Sequence, residues 1–517
     1  MNQTIPFGRC LGLLLILDAA LLFSVLGRAP LSRIDEGQIA EVSREMVAGR
    51  DWLTPRIGGL TFPAYPPLAY WAIAASGSVF GFNEFAMRLP TALAALALIA
   101  VAANLTRRLA GPEAGLTVAV ALATLPAFFV QSGVCRADVM TMLFATAAFD
   151  RFLAWAEGGG KNRDLALMYL FTALGILTKG PLAVAMLGLG GLAWFLVRRQ
   201  WKLLLAMKLW IGIPAALLIV VPWYYAMYRI NGWAFIHENL FLENLDAYTH
   251  GYQQKRSRLF YFSQIHFLLP WLLVLPLSWK VRRAPAVSLS LAWFGLVALF
   301  FTVSSAKRVN YLTYWCPSLA MAAGTAFAAL CAEAPQLLRR GILGLGGILV
   351  AGGIVVAALP AGVWTGSGVS KIAGHLPMIG LVAGAAALGV AGLAWRQGPK
   401  AAGAGMAGVM VAAMFVYGFF INARVNPESR ELAEFCRRAA GKVPPGETLY
   451  VPAPDGAEGL VHFYAGAALP LRSGEPGLYI AGQPQHERLL KDGKNIQILD
   501  SMLDHRGRYR YLLRVHP

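Results

Sequence analysis

Charged residues are scarce in this sequence. Only 14% of the 517 residues are charged and 57% are hydrophobic, whereas a soluble domain carries about 25% charged residues. A chain with this balance cannot cover its surface with groups that water solvates. The composition therefore excludes a soluble globular protein and predicts a membrane protein.

Cysteine is sparse as well. The five cysteines are far apart, fall mostly in or near apolar runs, and form no CxxC motif. This pattern favours small, buried hydrophobic side chains over disulfides or metal ligands. The sequence also has no repeat of solenoid period and no long low-complexity linker.

Long apolar runs are abundant. About thirteen segments approach the roughly 20 residues needed to cross the hydrocarbon of a bilayer, and 341–361 contains no charge at all. The predicted spans are 9–27, 85–105, 112–131, 138–156, 164–178, 181–198, 203–227, 259–278, 287–304, 311–331, 340–360, 376–395 and 401–421. The pair 164–178 and 181–198 is separated only by Lys179-Gly180, so one kinked element is an alternative there.

Lysine and arginine alternate along these spans. If the spans alternate, one side receives Arg9, Arg107-Arg108, Lys161 and Arg163, Arg198-Arg199 and Lys202, Lys280 to Arg283, Arg339-Arg340, and Arg396 with Lys400. The positive-inside rule makes that side cytoplasmic. These anchors explain most of the net charge of +18, so no nucleic acid partner is expected. The long segments 28–84 and 228–258, and everything after residue 422, are then external.

The external segments differ in character. In 28–84, apolar residues at helical spacing predict a helix over 36–46 along the membrane surface and a second helix over 65–80. In 423–517, a helix over 428–440 precedes short alternating apolar runs that begin near residues 448, 460, 477 and 509. This pattern predicts strands and a small α/β domain outside the membrane, separate from a transmembrane domain over 1–422.

Asp35-Glu36 is the most informative motif, because two carboxylates beside a membrane are costly unless they are solvated or used. The motif lies in a string from Arg33 through Trp52 to Pro66-Pro67 and Trp71. Three further groups map to the same external side, namely Cys135-Arg136-Ala-Asp138, Leu177-Thr-Lys179-Gly-Pro181, and Lys307-Arg308 with Tyr311. Their convergence predicts one external site.

These motifs resemble the GT-C membrane glycosyltransferases that use polyprenyl-phosphate sugars, and in particular the lipid A aminoarabinose transferases and the protein O-mannosyltransferases. The resemblance implies an all-α polytopic fold with external juxtamembrane helices. It implies Asp35 as catalytic base, with Glu36 and Asp138 as further acidic groups of the site. Basic and aromatic residues would bind the donor phosphate: Tyr65, Lys179, Arg256, Arg258, Lys307, Arg308 and Tyr311.

Each of these residues also has a structural alternative. Asp35 and Asp138 could cap helices, Lys307 and Arg308 could anchor headgroups, and Tyr65 and Tyr311 could belong to an interfacial aromatic belt. His237 has no second histidine at ligand spacing, which favours a polar structural role for it.

The expected reaction is an inverting transfer of a sugar from an undecaprenyl-type phosphate to a hydroxyl or phosphate of a periplasmic-side acceptor, such as lipid A, lipopolysaccharide, another glycan or a protein. No glycine-rich phosphate loop is present, which disfavours a nucleotide donor. No cofactor is certain, and a divalent metal is an option. The aminoarabinose enzymes usually have Arg at position 38 and Glu-Lys at 64–65, where this chain has Gln38 and Ala64-Tyr65. These departures favour a different sugar or acceptor.

A lipid or glycan transporter is the alternative function, and a non-catalytic membrane scaffold is a weaker one. Transporters place ionisable groups at mid-membrane within broken helices, often in repeated halves. Here the polar residues concentrate at the outer ends of spans and in the two long loops, and no half-repeat is evident. The sequence therefore favours an enzyme of the bacterial inner membrane.

Overall fold

The computed structural model describes residues 6–32, 35–251, 256–358, 376–418, 427–451, 458–467, 469–470, 475–503 and 509–516. Helices dominate these residues, as the scarcity of charge in the apolar runs predicts. The helices of the first two thirds are α1 Phe7–Leu26, α2 Asp35–Ala48, α3 Pro67–Phe80, α4 Glu84–Ala110, α5 Pro112–Ala123, α6 Pro126–Ser132, α7 Asp138–Glu157, α8 Asn162–Lys179, α9 Leu182–Arg198, α10 Leu203–Ala206, α11 Leu209–Ile236, α12 Ala247–His250, α13 Phe260–Ser263, α14 Pro285–Val303 and α15 Cys316–Glu333. They are followed by α16 Pro335–Ala358, α17 Leu376–Gln397 and α18 Pro399–Val416.

Seven of the described helices are long and apolar enough to cross a membrane, and the bent pair α5 and α6 makes an eighth candidate. The predicted number of thirteen is therefore not confirmed, although the multi-pass character is. Two predicted spans differ in form. The span at 112–131 bends by 65° between α5 and α6. Pro126 begins α6 at this bend, and a proline has no backbone N–H to donate the hydrogen bond that would continue α5.

The predicted span at 259–278 is not a continuous helix. It consists of α13 and of three short 3₁₀ segments, Ile265–Leu268, Trp271–Val274 and Pro276–Val281. Pro270 and Pro276 explain the interruption, since each removes a backbone donor and clashes with the preceding turn. The pair at 164–178 and 181–198 forms two helices, α8 and α9, that are separated at Gly180, which has φ +70°.

Small residues bring the membrane helices close together. A Cβ on Gly324 of α15 would lie 2.6 Å from the side chain of Val118 in α5, and one on Gly175 of α8 would lie 2.7 Å from Ala183 in α9. Close backbone approach of this kind is how helices pack where no hydrophobic effect drives them together. The main core joins α4, α5, α7, α9, α14 and α15, with the rings of Phe149 and Trp293 4.8 Å apart.

The first external segment contains the two predicted helices, α2 and α3. Between them, β1 Arg56–Ile57 pairs antiparallel with β2 Leu60–Thr61 through a turn at Gly58 and Gly59, both with positive φ. The second segment predicted as a long loop, 228–258, begins within α11, which extends to Ile236, and continues as a π-helical segment, His237–Asp246, that leads into α12. A 3₁₀ segment, Val309–Tyr314, leads into α15. These irregular segments surround the site.

The C-terminal part contains a four-stranded sheet. Its elements are α19 Pro427–Gly441, β3 Leu449–Tyr450, α20 Glu458–Ala465, β4 Gly477–Gly482, α21 Gln483–Lys491, β5 Ile496–Leu503 and β6 Tyr509–Val515. The strand order is β3-β4-β6-β5, with β3 parallel to β4 and the other pairs antiparallel. The run near residue 460, predicted as a strand, is the helix α20. The predicted domain boundary at 422 lies outside the described residues.

Helix α20 packs directly on α2. A Cβ on Gly37 would lie 2.7 Å from Leu460, and one on Gly459 would lie 2.5 Å from the backbone nitrogen of Gln38. The two helix backbones therefore touch at a pair of glycines. As a result, the C-terminal segment contacts the helix that begins with Asp35.

Candidate functional site

Asp35 opens α2 and lies between two arginines from distant parts of the chain. One carboxylate oxygen accepts a hydrogen bond from the guanidinium of Arg136, and the other lies 3.8 Å from that of Arg308. The Asp35 side chain is about one third exposed. It is therefore an accessible carboxylate held by two positive charges.

Glu36, the next residue, is buried and fully engaged. Its carboxylate accepts hydrogen bonds from the backbone N–H of Ser32 at 2.8 Å and of Cys135 at 2.7 Å, and from the Arg88 guanidinium at 2.8 and 2.9 Å. Burial favours a raised pKa for Glu36, but Arg88 and the two N–H groups outweigh it, so the pKa lies below its usual range. Glu36 thus joins the start of α2 to the loop before α7.

Arg88 of α4 completes this junction. Besides Glu36, its guanidinium donates to the carbonyls of Leu26 and Ala29 at 2.6 Å each and of Pro30 at 2.9 Å. All five N–H donors of the side chain therefore have partners. The chain that leaves α1 and reaches α2 is held in place by this one arginine.

Asp138, at the start of α7, is also buried, with its side chain 3% exposed. It accepts hydrogen bonds from Lys179, from the Tyr314 hydroxyl at 2.7 Å and from the Asn310 amide at 3.3 Å. Three predicted motifs, around residues 138, 179 and 310, therefore meet at one point. The interaction fixes the ammonium group of Lys179.

A cleft lies beside Lys179 and Arg308. Its lining consists of Ala64, Tyr65, Pro66, Lys179, Asn239, Glu243, Asn244, Ala247, Ala306, Arg308 and Tyr311. The Lys179 ammonium is 5.3 Å from the centre of the Tyr65 ring and 5.7 Å from that of Tyr311, a cation–π arrangement. Burial, followed by the Asp138 charge, raises the pKa of Tyr65 well above 10, so its hydroxyl remains a hydrogen-bond donor. We call this space the lysine cleft.

The structure separates the predicted phosphate-binding residues into two groups. Tyr65, Lys179, Arg308 and Tyr311 line the lysine cleft, whereas Lys307 is 1% exposed and donates to the Ser304 carbonyl. Arg256 and Arg258 are exposed and do not line the cleft, and the Arg256 guanidinium lies over the Phe260 ring at 5.5 Å. Lys255, the residue before Arg256, lies outside the described residues.

Sequence reasoning missed two important arginines. Arg136 belongs to the motif that contains Asp138, and the sequence gives no sign that it is the closest partner of Asp35. Arg88 is the second, and the sequence does carry a signal for it, because an arginine in an otherwise apolar helix needs a partner. Glu243, in the second long loop, also lines the cleft.

No group of three or more His, Cys, Asp or Glu side chains that could hold a metal occurs among the residues that the structure describes. Asp35 and Asp138 each contact basic groups. The positive charge near both carboxylates is therefore supplied by arginine and lysine.

Comparison with known proteins gives consistent matches. The family described as dolichyl-phosphate-mannose-protein mannosyltransferase matches residues 64–225. The chain is 30% identical over 333 residues to the undecaprenyl phosphate-alpha-4-amino-4-deoxy-L-arabinose arabinosyl transferase of Pseudomonas paraeruginosa, covering 61% of this chain and 60% of the relative. A relative named the same way in Edwardsiella ictaluri is 28% identical, with 67% and 63% covered. The chain thus spans about 60% of the length of these relatives.

Solved structures extend the match to 97–98% of the chain. ArnT from Cupriavidus metallidurans bound to undecaprenyl phosphate has a TM-score of 0.80 at 23% identity, with 97% of both chains covered. The archaeal oligosaccharyltransferase AglB from Archaeoglobus fulgidus has a TM-score of 0.52 at 11% identity, covering 98% of this chain and 74% of AglB. These matches confirm the resemblance predicted from the first loop and, with the apolar helices, indicate a multi-pass bacterial inner membrane protein. The chain therefore has the GT-C glycosyltransferase fold and resembles the aminoarabinose arabinosyl transferases.

Proposed function

We propose that this protein transfers a sugar from a polyprenyl phosphate to a hydroxyl or phosphate group of an acceptor at the periplasmic face of the inner membrane. One observation supports the proposal most strongly. Asp35 pairs with Arg308, and Arg308 lines the lysine cleft together with Lys179. A carboxylate that can accept a proton and two cations that can bind phosphate thus lie side by side, as transfer from a lipid phosphate requires.

The donor phosphate is proposed to bind in the lysine cleft. Arg308 offers the guanidinium fork that suits phosphate oxygens, and Lys179 adds a point charge that Asp138 holds in place. The hydroxyl groups of Tyr65 and Tyr311 can donate to the remaining phosphate oxygens. The leaving phosphate carries charge at the transition state, so fixed cations accelerate its departure.

Asp35 is proposed as the base. The acceptor oxygen attacks the anomeric carbon while its proton passes to an Asp35 oxygen, and the bond from that carbon to the phosphate oxygen breaks with its electron pair leaving on the phosphate. One base without a covalent nucleophile gives inversion. Phosphate binding competes with Asp35 for Arg308, which loosens an ion pair that is already 3.8 Å long.

Glu36 was predicted as a catalytic group, and its contacts favour a different role. Both of its oxygens are occupied by Arg88, Ser32 and Cys135 in the free protein. We therefore propose Glu36 as a positioning residue that holds Asp35. Asp138 is proposed as a second positioning residue, which holds the ammonium group of Lys179.

Orientation is part of the proposal. At one end of the bundle, Arg108 pairs with Asp150, Arg151 with Asp164 at 3.0 Å, and Arg198 with Glu157 at 2.8 Å. Arg108, Glu157 and Arg198 lie in or beside the segments that the positive-inside rule assigns to the cytoplasm. Asp35 and the lysine cleft belong to the opposite helix ends, which supports a periplasmic site.

Asp35→Asn tests the reaction. The change keeps the size of the side chain and its hydrogen-bonding shape but removes the base, so transfer from undecaprenyl phosphate-linked sugar should fall about 10²–10⁴-fold. Binding of undecaprenyl phosphate should persist. Asparagine is as good a helix cap as aspartate, so transfer at the wild-type rate would show that Asp35 is structural.

Arg308→Gln tests the donor site, with Arg256→Gln as the matched control. A hydrogen bond to a charged group contributes about 1.5–3 kcal/mol, so undecaprenyl phosphate affinity should fall roughly 10–100-fold in the first variant. Arg256 lies outside the lysine cleft, and its variant should bind normally. Equal losses in the two variants would indicate general attraction of an anionic lipid and contradict a built phosphate site.

A further inference from the structure

A large cavity lies between the 3₁₀ segments that follow α13 and the helices α15 to α18. Its volume is about 560 Å³, within the roughly 300–1,000 Å³ that whole-ligand pockets occupy. Apolar residues form almost all of its lining in the part of the chain that the structure describes, and it shares no lining residue with the lysine cleft. We call this space the apolar cavity. The proposed transfer reaction does not use it.

Small residues leave the apolar cavity open. Its walls include Gly344 of α16, Ala387 of α17 and Ala402 of α18. A Cβ on Gly344 would meet no atom within 4 Å, so the backbone of α16 itself borders the space. Protein interiors are otherwise close-packed, with few voids larger than a water molecule. A space of this size among apolar helices is therefore a candidate site for a hydrocarbon ligand.

One basic side chain, that of Arg340, belongs to the lining. Arg340 is exposed and has no ion-pair or hydrogen-bond partner among the described residues. The neighbouring Arg339, in contrast, lies 4.8 Å from the centre of the Trp395 ring and donates to the Trp395 carbonyl at 2.6 Å. Arg340 thus offers a guanidinium group at the edge of an apolar space. This combination matches an anionic group, such as a phosphate, that is attached to hydrocarbon.

Further basic residues lie at the same end of the apolar cavity. A Cβ on Gly341 would lie 2.8 Å from the Leu277 side chain, so the start of α16 packs against the Pro276–Val281 segment. That segment contains Lys280 and is followed closely by Arg283. Basic pockets between membrane helices on the cytoplasmic side bind the headgroups of anionic lipids. The positive charge at this end therefore favours an anionic lipid over a neutral one.

Exposed tryptophans indicate the depth of this end in the membrane. Trp279 and Trp395 are 69% and 66% exposed, and each lies against an arginine, as is typical of the membrane–water interface. From Arg340 the lining follows α16 to Leu349, a distance of roughly 14 Å at 1.5 Å per residue. Half of the hydrocarbon core of a bilayer is about 15 Å thick. The cavity therefore extends through about one leaflet.

We propose that the apolar cavity binds an anionic glycerophospholipid, with an acyl chain among α16, α17 and α18 and with its phosphate at Arg340. The positive-inside rule assigns the Arg340 end to the cytoplasm, so the lipid comes from the cytoplasmic leaflet. A ligand that binds only the folded chain stabilises it, and this lipid would hold α16 to α18 against α15. The site is independent of the proposed transfer reaction.

Gly344→Phe tests the cavity, with Gly347→Phe as the matched control on the same helix. A Cβ at either position would meet no atom within 4 Å, but only Gly344 lines the cavity. The probe is dioleoyl phosphatidylglycerol, added to the delipidated full-length protein in detergent and counted by native mass spectrometry. The wild type and Gly347→Phe should retain one bound molecule, and Gly344→Phe should lose it. Retained undecaprenyl phosphate binding shows that each variant is folded, and a folded Gly344→Phe protein that keeps the phospholipid would refute the site.

Arg340→Gln tests the charge without altering the shape of the cavity, and Arg396→Gln is its control. Phosphatidylglycerol affinity should fall about 5-fold in the first variant, the contribution of one basic residue beside an anionic lipid. Arg396 follows Trp395 at the same end of the helices but lies outside the lining, and its variant should bind normally. Equal affinities for the two variants would contradict a phosphate contact at Arg340.

Two competing lipids identify the occupant. Phosphatidylethanolamine carries the same acyl chains and a phosphate but has no net charge, and equal affinity for it would assign the cavity to any membrane lipid and overturn the anionic assignment. Undecaprenyl phosphate is anionic but has a polyprenyl chain, and its displacement of phosphatidylglycerol at an equimolar ratio would assign the cavity to the tail of the donor. Retention of phosphatidylglycerol against both competitors supports the proposal.

Discussion

Neighbouring residues of like charge have different surroundings in this protein. Lys307 is buried and bonds to the Ser304 carbonyl, while Arg308 lines the lysine cleft beside Asp35. The sequence predicts a basic pair near the lipid phosphate, but it cannot say which member faces the cleft, because the segment around both residues is irregular. Asp35 and Arg136 are 101 positions apart, so only the tertiary fold pairs them.

Arg88 is the residue whose loss should cost most stability. Arg88→Met would leave the Glu36 carboxylate buried without its cation, together with three carbonyls that lose their donor. Removing one partner of a buried ion pair in this way lowers the free energy of unfolding by about 3–5 kcal/mol. Thermal unfolding in detergent should show a marked fall in midpoint temperature.

Arg437→Met is the control for this experiment. Arg437 pairs with Glu84 at 3.0 Å, but its side chain is 55% exposed, and exposed pairs contribute about 0–1 kcal/mol. Equal midpoint shifts for the two variants would contradict the special role of Arg88. Arg88→Lys should remain destabilised, because an ammonium group has three donors and the site uses five.

At the scale of elements, prolines and glycines determine where the helices end, and they explain which predicted helices and spans agree with the structure. α2 and α3 follow the predicted periodicity, and Gly180 separates α8 from α9 as the sequence suggested. The span at 259–278 failed because hydropathy does not register the two prolines that break it. The run near residue 460 satisfies a strand pattern as well as a helix pattern, and its contact with α2 favours the helix α20.

The contact between α20 and α2 should be sensitive to acid through His462. Its ring is 3% exposed, and Nδ1 accepts the backbone N–H of Leu469 at 2.9 Å. Burial, together with the positive Arg44 nearby, lowers the pKa of His462 to about 4. Between pH of about 6.5 and 4 the unfolded chain therefore binds a proton that the folded chain does not, so stability falls as pH falls through this window.

Over this window the free energy of unfolding should fall by about 3 kcal/mol because of His462 alone, since each pKa unit corresponds to about 1.4 kcal/mol. The midpoint of thermal unfolding, followed from pH 7 to pH 4, should fall steadily. His462→Asn keeps an acceptor for Leu469 without a titratable ring, and its midpoint should depend less on pH. A wild-type curve that is flat over this window would contradict the assignment.

At the scale of the whole molecule, two sets of ionic contacts lie at opposite ends of the helices. One contains Asp35 and Asp138, and the other contains Asp150, Asp164 and Glu157. Composition was enough to predict a multi-pass protein, and the alternation of basic loops predicts which end of the helices faces the periplasm. The exact number of spans could not be predicted, because hydropathy does not distinguish a straight helix from a bent or broken one.

Topology reporters test this polarity. An enzyme that is active only in the periplasm should be active when it is fused after residue 516 and inactive when it is fused after Arg199. A reporter that works only in the cytoplasm should give the reverse pattern. Cytoplasmic activity at residue 516 would mean that the number of spans is wrong by one, and would place the C-terminal sheet on the cytoplasmic side.

The glycine-to-glycine contact between α2 and α20 has a consequence for protein engineering. Because Gly37 and Gly459 leave no room for a side chain on either helix, the shapes of the two segments are matched to each other over more than 400 positions of sequence. A chimera that receives only the C-terminal segment of a relative would meet a foreign surface at the helix that begins with Asp35. A chimera should therefore fold stably only when both segments are transplanted together.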